Sequence, residues 1–163
     1  MGCDESKLID IKNILEPISS NVFCFGSVGK GQEVKAINQI LVAGSYASVA
    51  EAIAFAENLG LPMSQVLESL QTGAASSWAL SHRSEAMIRD RYPLGFKLKL
   101  HYKDLSIALD AAEESGMELP ITSKIREIEE NLIKDGYGDD DLSVIKRAIA
   151  LPKNNNSSNK INS

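Results

Sequence analysis

Residues 26–38 read G-S-V-G-K-G-Q-E-V-K-A-I-N, and they lead directly into an alanine-rich stretch that continues to residue 59. The glycines Gly26, Gly29 and Gly31 permit positive backbone φ angles and close approach of other groups, so this half is expected to be a loop. The segment 32–59 contains no proline and favours one long helix. The fold is therefore predicted to be organised around a long helix that starts at a glycine loop.

Three polar side chains share one face of this predicted helix near its start. Lys35, Asn38 and Gln39 stand at positions i, i+3 and i+4, which brings one amine and two amides together. We interpret this face as a candidate site for a small, oxygen-rich molecule. The loop before it lacks the G-K-[ST] ending of a Walker A phosphate loop, so we interpret the loop as a hinge rather than a phosphate site.

The pattern G-x-x-G-x-G-x-x-x-K-x-x-N resembles the start of the C-terminal domain of the β-hydroxyacid dehydrogenases, the family of 3-hydroxyisobutyrate dehydrogenase and tartronate semialdehyde reductase. The resemblance covers roughly residues 2 to 150. It implies that Lys35 is the catalytic general acid and base, and that Asn38 with Gln39 holds the substrate. Gln39 stands where many members of that family carry a second asparagine.

A second motif of the same family follows in the run F-K-L-K-L-H-Y-K-D-L-S-I-A-L, residues 96–109. The resemblance implies that Lys103 contacts the nicotinamide cofactor and that Phe96 and Asp104 shape the substrate pocket. A Lys-Asp pair on a helix is by itself typical of a solvated charged face. Its occurrence together with the Lys35 motif is what supports the functional interpretation.

The resemblance implies an NAD(P)-dependent dehydrogenase that interconverts a small hydroxy acid and its carbonyl form by hydride transfer. No predicted strand followed by G-x-G-x-x-G lies upstream of the helical part, so NAD or NADP is expected to be held mainly by a Rossmann domain outside this chain. The isolated chain is accordingly expected to be inactive. The alternative is a non-catalytic helical dimerisation or interaction module derived from the same family.

The remaining pattern predicts an all-α domain of six to seven helices, two of them long, preceded by a remnant αβ unit of a Rossmann domain. The remnant occupies residues 1–25, the helical domain residues 26–151, and a flexible polar tail residues 152–163. Trp78 is expected to fill the core. Apolar periodicity and glycine or proline breaks place the elements as follows: a helix over 4–18, a strand over 22–25, and helices over 32–59, 64–71, 74–91, 96–116, 120–136 and 142–150.

The amino-acid composition argues against several classes of function. A net charge of −5 without a basic arm argues against binding to nucleic acid or to an anionic membrane, and the apolar runs are interpreted as too short to span one. Cys3 and Cys24 are expected to be reduced, and His82 and His101 have no partner at metal-ligand spacing, so no metal is predicted. We expect a cytoplasmic homo-oligomer that acts on a small hydroxy acid.

Overall fold

The computed structural model describes residues 1–149, and within that range it forms helices and no β-strand. Two short 3-10 segments, Glu5–Lys7 and Leu142–Ala148, accompany the α-helices near the two ends of the described chain. The prediction of an all-α domain is confirmed. The six α-helices of residues 1–149 are α1 (Leu8–Leu15), α2 (Lys30–Asn58), α3 (Met63–Gln71), α4 (Trp78–Ile88), α5 (Leu98–Glu114) and α6 (Pro120–Lys134).

Helix α2 is the centre of the domain, as the glycine loop and the alanine-rich stretch predict. It begins after Gly29, whose φ is 100°, and is followed by Gly60, whose φ is 67°. Both values lie in the region that side chains other than glycine rarely adopt, so these glycines delimit the helix. Helices α4, α5 and α6 and the 142–148 segment pack around α2. Small buried residues such as Ala43 and Ala50 let them approach closely.

By length and composition α2 also satisfies the criteria for a membrane-crossing helix, with a mean hydropathy of 1.4 over an 18-residue window that is 39% buried. The sequence-based interpretation that no apolar run is long enough therefore does not hold for this helix. A central core helix meets the same criteria. The packing of α3, α4, α5, α6 and the 142–148 segment against α2 supports that interpretation.

The 142–148 segment is tied to the start of α5 by backbone hydrogen bonds. Leu142 N–H donates to the Phe96 carbonyl over 2.9 Å, and Leu98 N–H donates to the Asp140 carbonyl over 2.9 Å. Residues 142–145 are fully buried against α2, which explains why this segment stays in place although it is a 3-10 helix rather than the expected α-helix. This contact fixes where the first turn of α5 lies.

The strand predicted over residues 22–25 does not form. Phe25 N–H donates to the Met1 carbonyl over 2.9 Å, and Cys3 N–H donates to the Gly26 carbonyl over 2.7 Å. Two backbone hydrogen bonds to the first three residues are too few for a β-sheet, since a stable sheet needs more extensive pairing between strands. The preceding helix is also shorter than expected, with α1 limited to Leu8–Leu15.

The prediction that Trp78 fills the core is wrong. Its side chain is 56% exposed, because it occupies the first position of α4, directly after the N-cap Ser77, and faces away from the buried side of that helix. Ile121, in the first turn of α6, is also exposed, at 73%. The tail predicted over 152–163 lies outside the described residues.

Candidate active site

The predicted site residues on α2 and α5 meet where the first turns of these two helices lie side by side. Lys35 Nζ donates to Gln39 Oε1 over 2.9 Å, and Gln39 Nε2 donates to Asp104 Oδ2 over 2.9 Å. Asp104 Oδ1 also lies 2.8 Å from Lys103 Nζ. Asn38 Nδ2 donates to Gln39 Oε1 over 3.0 Å. Five of the six predicted site residues therefore form one hydrogen-bonded group.

Gln39 is the centre of this group and is 2% exposed. Its amide has only one orientation that suits both neighbours, because the Lys35 ammonium can only donate and the Asp104 carboxylate can only accept. The structure has that orientation, with Oε1 toward Lys35 and Nε2 toward Asp104. Gln39 thus connects the amine on α2 to the carboxylate on α5.

A groove of about 550 Å³ opens beside this group. Phe96, the remaining predicted site residue, lies in its wall together with Lys35, Asn38 and Gln39, whereas Lys103 and Asp104 are absent from the lining and connect to it through Gln39. The other lining residues, which the sequence reasoning did not assign to a site, are Leu41, Val42, Ser45, Tyr46, Trp78, Ala79, Arg83 and Gly95.

Arg83 is the most informative of the residues that the sequence reasoning missed. Its side chain is 20% exposed, its Nε lies 3.3 Å from Asp141 Oδ1, and its guanidinium carbon lies 5.0 Å from the centre of the Trp78 ring. The sequence held no local signal for it, because its partner Asp141 lies in a distant segment of the chain. Arg83 and Lys35 give the groove two cations and make it suited to an anionic ligand.

Asp141 holds the groove wall in place. Its Oδ2 accepts from the Gly95 and Phe96 N–H groups over 2.9 and 3.0 Å, and its Oδ1 accepts from Ser143 Oγ over 2.6 Å. Burial opposes ionisation of this carboxyl, but the hydrogen bonds from Ser143 and the backbone outweigh burial, and the pKa of Asp141 is lowered. A side chain at Gly95 would meet the Arg83 guanidinium, so Arg83 would have to move away from Asp141 to admit one.

A second concavity of about 560 Å³ lies at the turn between α5 and α6. It has nearly the same volume, but its lining includes the carboxylates of Asp110, Glu113 and Glu118. These would repel an acidic substrate, so the charge of the lining and not its volume distinguishes the two sites. Among residues 1–149, no group of three or more His, Cys, Asp or Glu side chains is arranged to hold a metal ion.

Comparison with known proteins identifies the family. The family model described as the NAD-binding part of NADP-dependent 3-hydroxyisobutyrate dehydrogenase matches residues 29–149. The 2-hydroxy-3-oxopropionate reductase of Escherichia coli (strain K12) is 34% identical over 154 residues, which are 94% of this chain and 53% of that protein. The cytokine-like nuclear factor N-PAC of Anopheles gambiae is 34% identical over 136 residues, which are 83% of this chain and 24% of that protein.

A solved structure agrees with these sequence matches. Mycobacterium tuberculosis 3-hydroxyisobutyrate dehydrogenase, solved with L-serine, superposes with a TM-score of 0.83 at 27% identity, covering 92% of this chain and 54% of that one. The chain thus spans about half the length of the dehydrogenases that it matches. The match includes both Lys35 and Lys103. The chain belongs to the 3-hydroxyisobutyrate dehydrogenase family, as its glycine-loop and Lys-Asp motifs predict.

Proposed function

We propose that this chain is the substrate-binding and proton-transferring part of an NAD(P)-dependent dehydrogenase that acts on a small hydroxy acid. The observation that carries the proposal is the chain of hydrogen bonds from Lys35 through Gln39 to Asp104, placed at the edge of a groove with two cations. Membership of the family supports the reaction class. The identity of the hydroxy acid is left to experiment.

In the proposed reaction Lys35 exchanges the proton of the substrate hydroxyl. Its Nζ already donates a hydrogen bond within the groove, so a substrate oxygen can replace Gln39 Oε1 as its partner. The Asn38 amide, 3.0 Å from the same Gln39 oxygen, is placed to donate to a second substrate oxygen. Arg83 adds positive charge to the groove and favours entry of the carboxylate group of the substrate.

The nicotinamide group, when bound, accepts the hydride from the substrate carbon. Within this chain Lys103 is the residue suited to hold part of the cofactor, because it is a cation whose side chain is 61% exposed beside the site. Its ion pair with Asp104 places it next to the Gln39 group. A single exposed lysine is a weak anchor for a dinucleotide, so we assign most of the cofactor's binding to the part of the relatives that this chain does not span.

The second candidate is a helical interaction module without catalysis. The observation that favours it is the similarity to the nuclear factor N-PAC. The segment that matches this chain makes up 24% of that protein. The two candidates differ in what the groove does. The enzyme needs Lys35 to react with a bound substrate, whereas the module needs only the packed helices.

The experiment that separates them is a hydride-transfer assay on this chain fused to the part of the E. coli relative that it does not span, which we expect to hold the dinucleotide. Small hydroxy acids are tested with both NAD and NADP, and the 163-residue chain alone is the control. We expect turnover by the fusion and none by the chain alone, because the nicotinamide must be held at reacting distance from the substrate carbon. Turnover by the chain alone, or a folded, cofactor-binding fusion without turnover, contradicts the proposal.

Replacing Asn38 with alanine is expected to raise KM about tenfold in the fusion, the effect of losing one hydrogen bond to a charged substrate. The value of kcat should change much less, because Asn38 holds the substrate without exchanging its proton. Gln32→Ala is the matched control, since Gln32 is an exposed amide near the start of α2 that is absent from the groove. A fall in kcat at constant KM would move Asn38 into the proton-transfer step.

We also propose that the protein self-associates. Ile37 and Phe55 on α2 and Ile121 on α6 are 56%, 64% and 73% exposed. Apolar side chains exposed on helices of a packed domain favour an interface, and a symmetric dimer is the commonest way to cover them. Sedimentation at micromolar concentration should report at least a dimer that dissociates on dilution. A monomer across the whole concentration range is the contrary result.

A further inference from the structure

His101 on α5 and Glu129 on α6 form a buried pair directly beneath the site. Both side chains are 0% exposed, and His101 Nδ1 lies 2.7 Å from Glu129 Oε1. The second ring nitrogen, Nε2, lies 3.3 Å from the backbone carbonyl oxygen of Gln39. The His101 ring also meets the Phe96 ring edge-on, with 6.0 Å between their centroids. One imidazole thus touches two residues of the groove.

Taken as hydrogen bonds, the two contacts of the ring assign its protons. A carbonyl oxygen only accepts, so the contact with Gln39 requires a proton on His101 Nε2. The short contact with Glu129 then holds one further proton between Nδ1 and Oε1. The pair is therefore an imidazolium with a carboxylate or a neutral imidazole with a carboxylic acid, and Nε2 carries a proton in both states.

Burial affects the balance between these two states. It raises the pKa of Glu129, while the hydrogen bond and charge of His101 oppose that rise. Glu129 Oε2 has no hydrogen-bond partner among residues 1–149, so an ionised carboxylate would be only half satisfied. In either state the two residues together carry no net charge, which is why they can lie in the core.

We propose that His101 and Glu129 are positioning residues that hold Gln39, and through it the Lys35 amine and the Asp104 carboxylate, in their working arrangement. Glu129 orients the imidazole, and the imidazole donates to the Gln39 carbonyl on the turn of α2 that carries the amide. The positioning of Gln39 is independent of the proposed function. The effect of this positioning on catalysis rests on the proposed function.

The positioning is tested on the ¹⁵N-labelled chain by NMR. We expect the His101 ring to show protons on both nitrogens, the Nδ1 proton far downfield and slow to exchange with solvent. The Glu129→Ala variant should lose the downfield proton and shift the side-chain amide signals of Gln39. A His101 ring without a proton on Nε2, or Gln39 signals that stay unmoved in this variant, would overturn the proposal.

Glu129→Gln keeps the proposal testable if the alanine variant does not fold. A glutamine amide can donate to His101 Nδ1 and so leave the Nε2 proton on the Gln39 carbonyl. We expect its Gln39 signals to lie close to those of the unaltered chain. Signals displaced as far as those of a chain lacking the imidazole, prepared as His101→Leu, would count against the pair. Glu130→Gln is the control, because Glu130 pairs with Lys134 on the outside of α6.

The catalytic consequence is measured in the fusion. Glu129→Ala should lower kcat about 10- to 100-fold through misplacement of the reacting groups, and Glu129→Gln should restore most of this loss. A role confined to stability would lower the melting temperature and leave kcat per folded molecule unchanged, which overturns the catalytic part. If the fusion without any substitution is inactive, the proposed function is refuted instead. The NMR experiment then tests only whether the pair positions Gln39.

Discussion

Replacing Lys35 with alanine is expected to lower kcat of the fused dehydrogenase about 10²- to 10⁴-fold, the usual contribution of a positioned general acid or base. The variant should fold normally, because Lys35 is exposed and its one hydrogen bond in the structure goes to the Gln39 side chain. Steady-state rates of NAD(P)H formation measure the loss. Circular dichroism of the same sample checks that the helices are retained.

Two further variants show whether the loss comes from proton transfer. Lys30→Ala removes a lysine at the start of the same helix that is paired with Glu33 over 2.8 Å, and we expect no more than a twofold change in kcat because this pair is exposed. Lys35→Arg keeps the positive charge but stays protonated, so kcat should fall while KM changes little. Full activity of Lys35→Ala, or an equal loss in Lys30→Ala, would show that the proton is exchanged elsewhere.

Replacing Asp141 with alanine is expected to lower the free energy of unfolding by about 3–5 kcal/mol, the range seen when one partner of a buried ion pair is removed. The change leaves the partly buried Arg83 without its carboxylate, and it leaves the Gly95 and Phe96 N–H groups without an acceptor. Chemical denaturation measures the loss. If the free energy of unfolding falls no more than it does for a substitution on the surface, Arg83 and the groove wall are held by other contacts.

Acid should reproduce part of this effect in the unaltered protein. The pKa of Asp141 lies below its ordinary value of 3.8 in the fold, so its contribution to stability is present above that value and is lost as the pH falls through the folded-state pKa. Asp141→Ala should therefore show a shallower decline in stability below pH 3.8. Asp110→Ala, at an exposed aspartate on α5, is the control and should lose stability in acid like the parent.

The helical framework could be predicted because glycine and proline delimit its elements locally. Gly29, Gly60, Gly116 and Gly136 all have positive φ, and each lies at the end of a helix that the sequence places within a few residues. The strand over 22–25 was a different kind of prediction, because β-branched and aromatic residues favour a strand only when pairing partners are present. Local composition did not contain that information.

The candidate site could be predicted in part, for a similar reason. The helical spacing of Lys35, Asn38 and Gln39 is local, and the structure retains it as one polar face. The contact between Gln39 and Asp104 joins residues 65 positions apart, and the resemblance implied only that both residues belong to the substrate pocket. Arg83 and the pair of His101 with Glu129 were missed, because only tertiary packing brings them to the groove.

The central claim is that the groove with Lys35 and Arg83 in its lining holds the hydroxy acid. Its most direct test is NMR of the ¹⁵N-labelled fusion saturated with NAD(P)⁺. Backbone amide shifts are compared before and after addition of a hydroxy acid that the fusion accepts as a substrate. We predict that the changes within this chain concentrate at residues 35–46, 78–83 and 95–96. Changes concentrated at the similarly sized concavity between α5 and α6, over residues 109–123, would contradict the account.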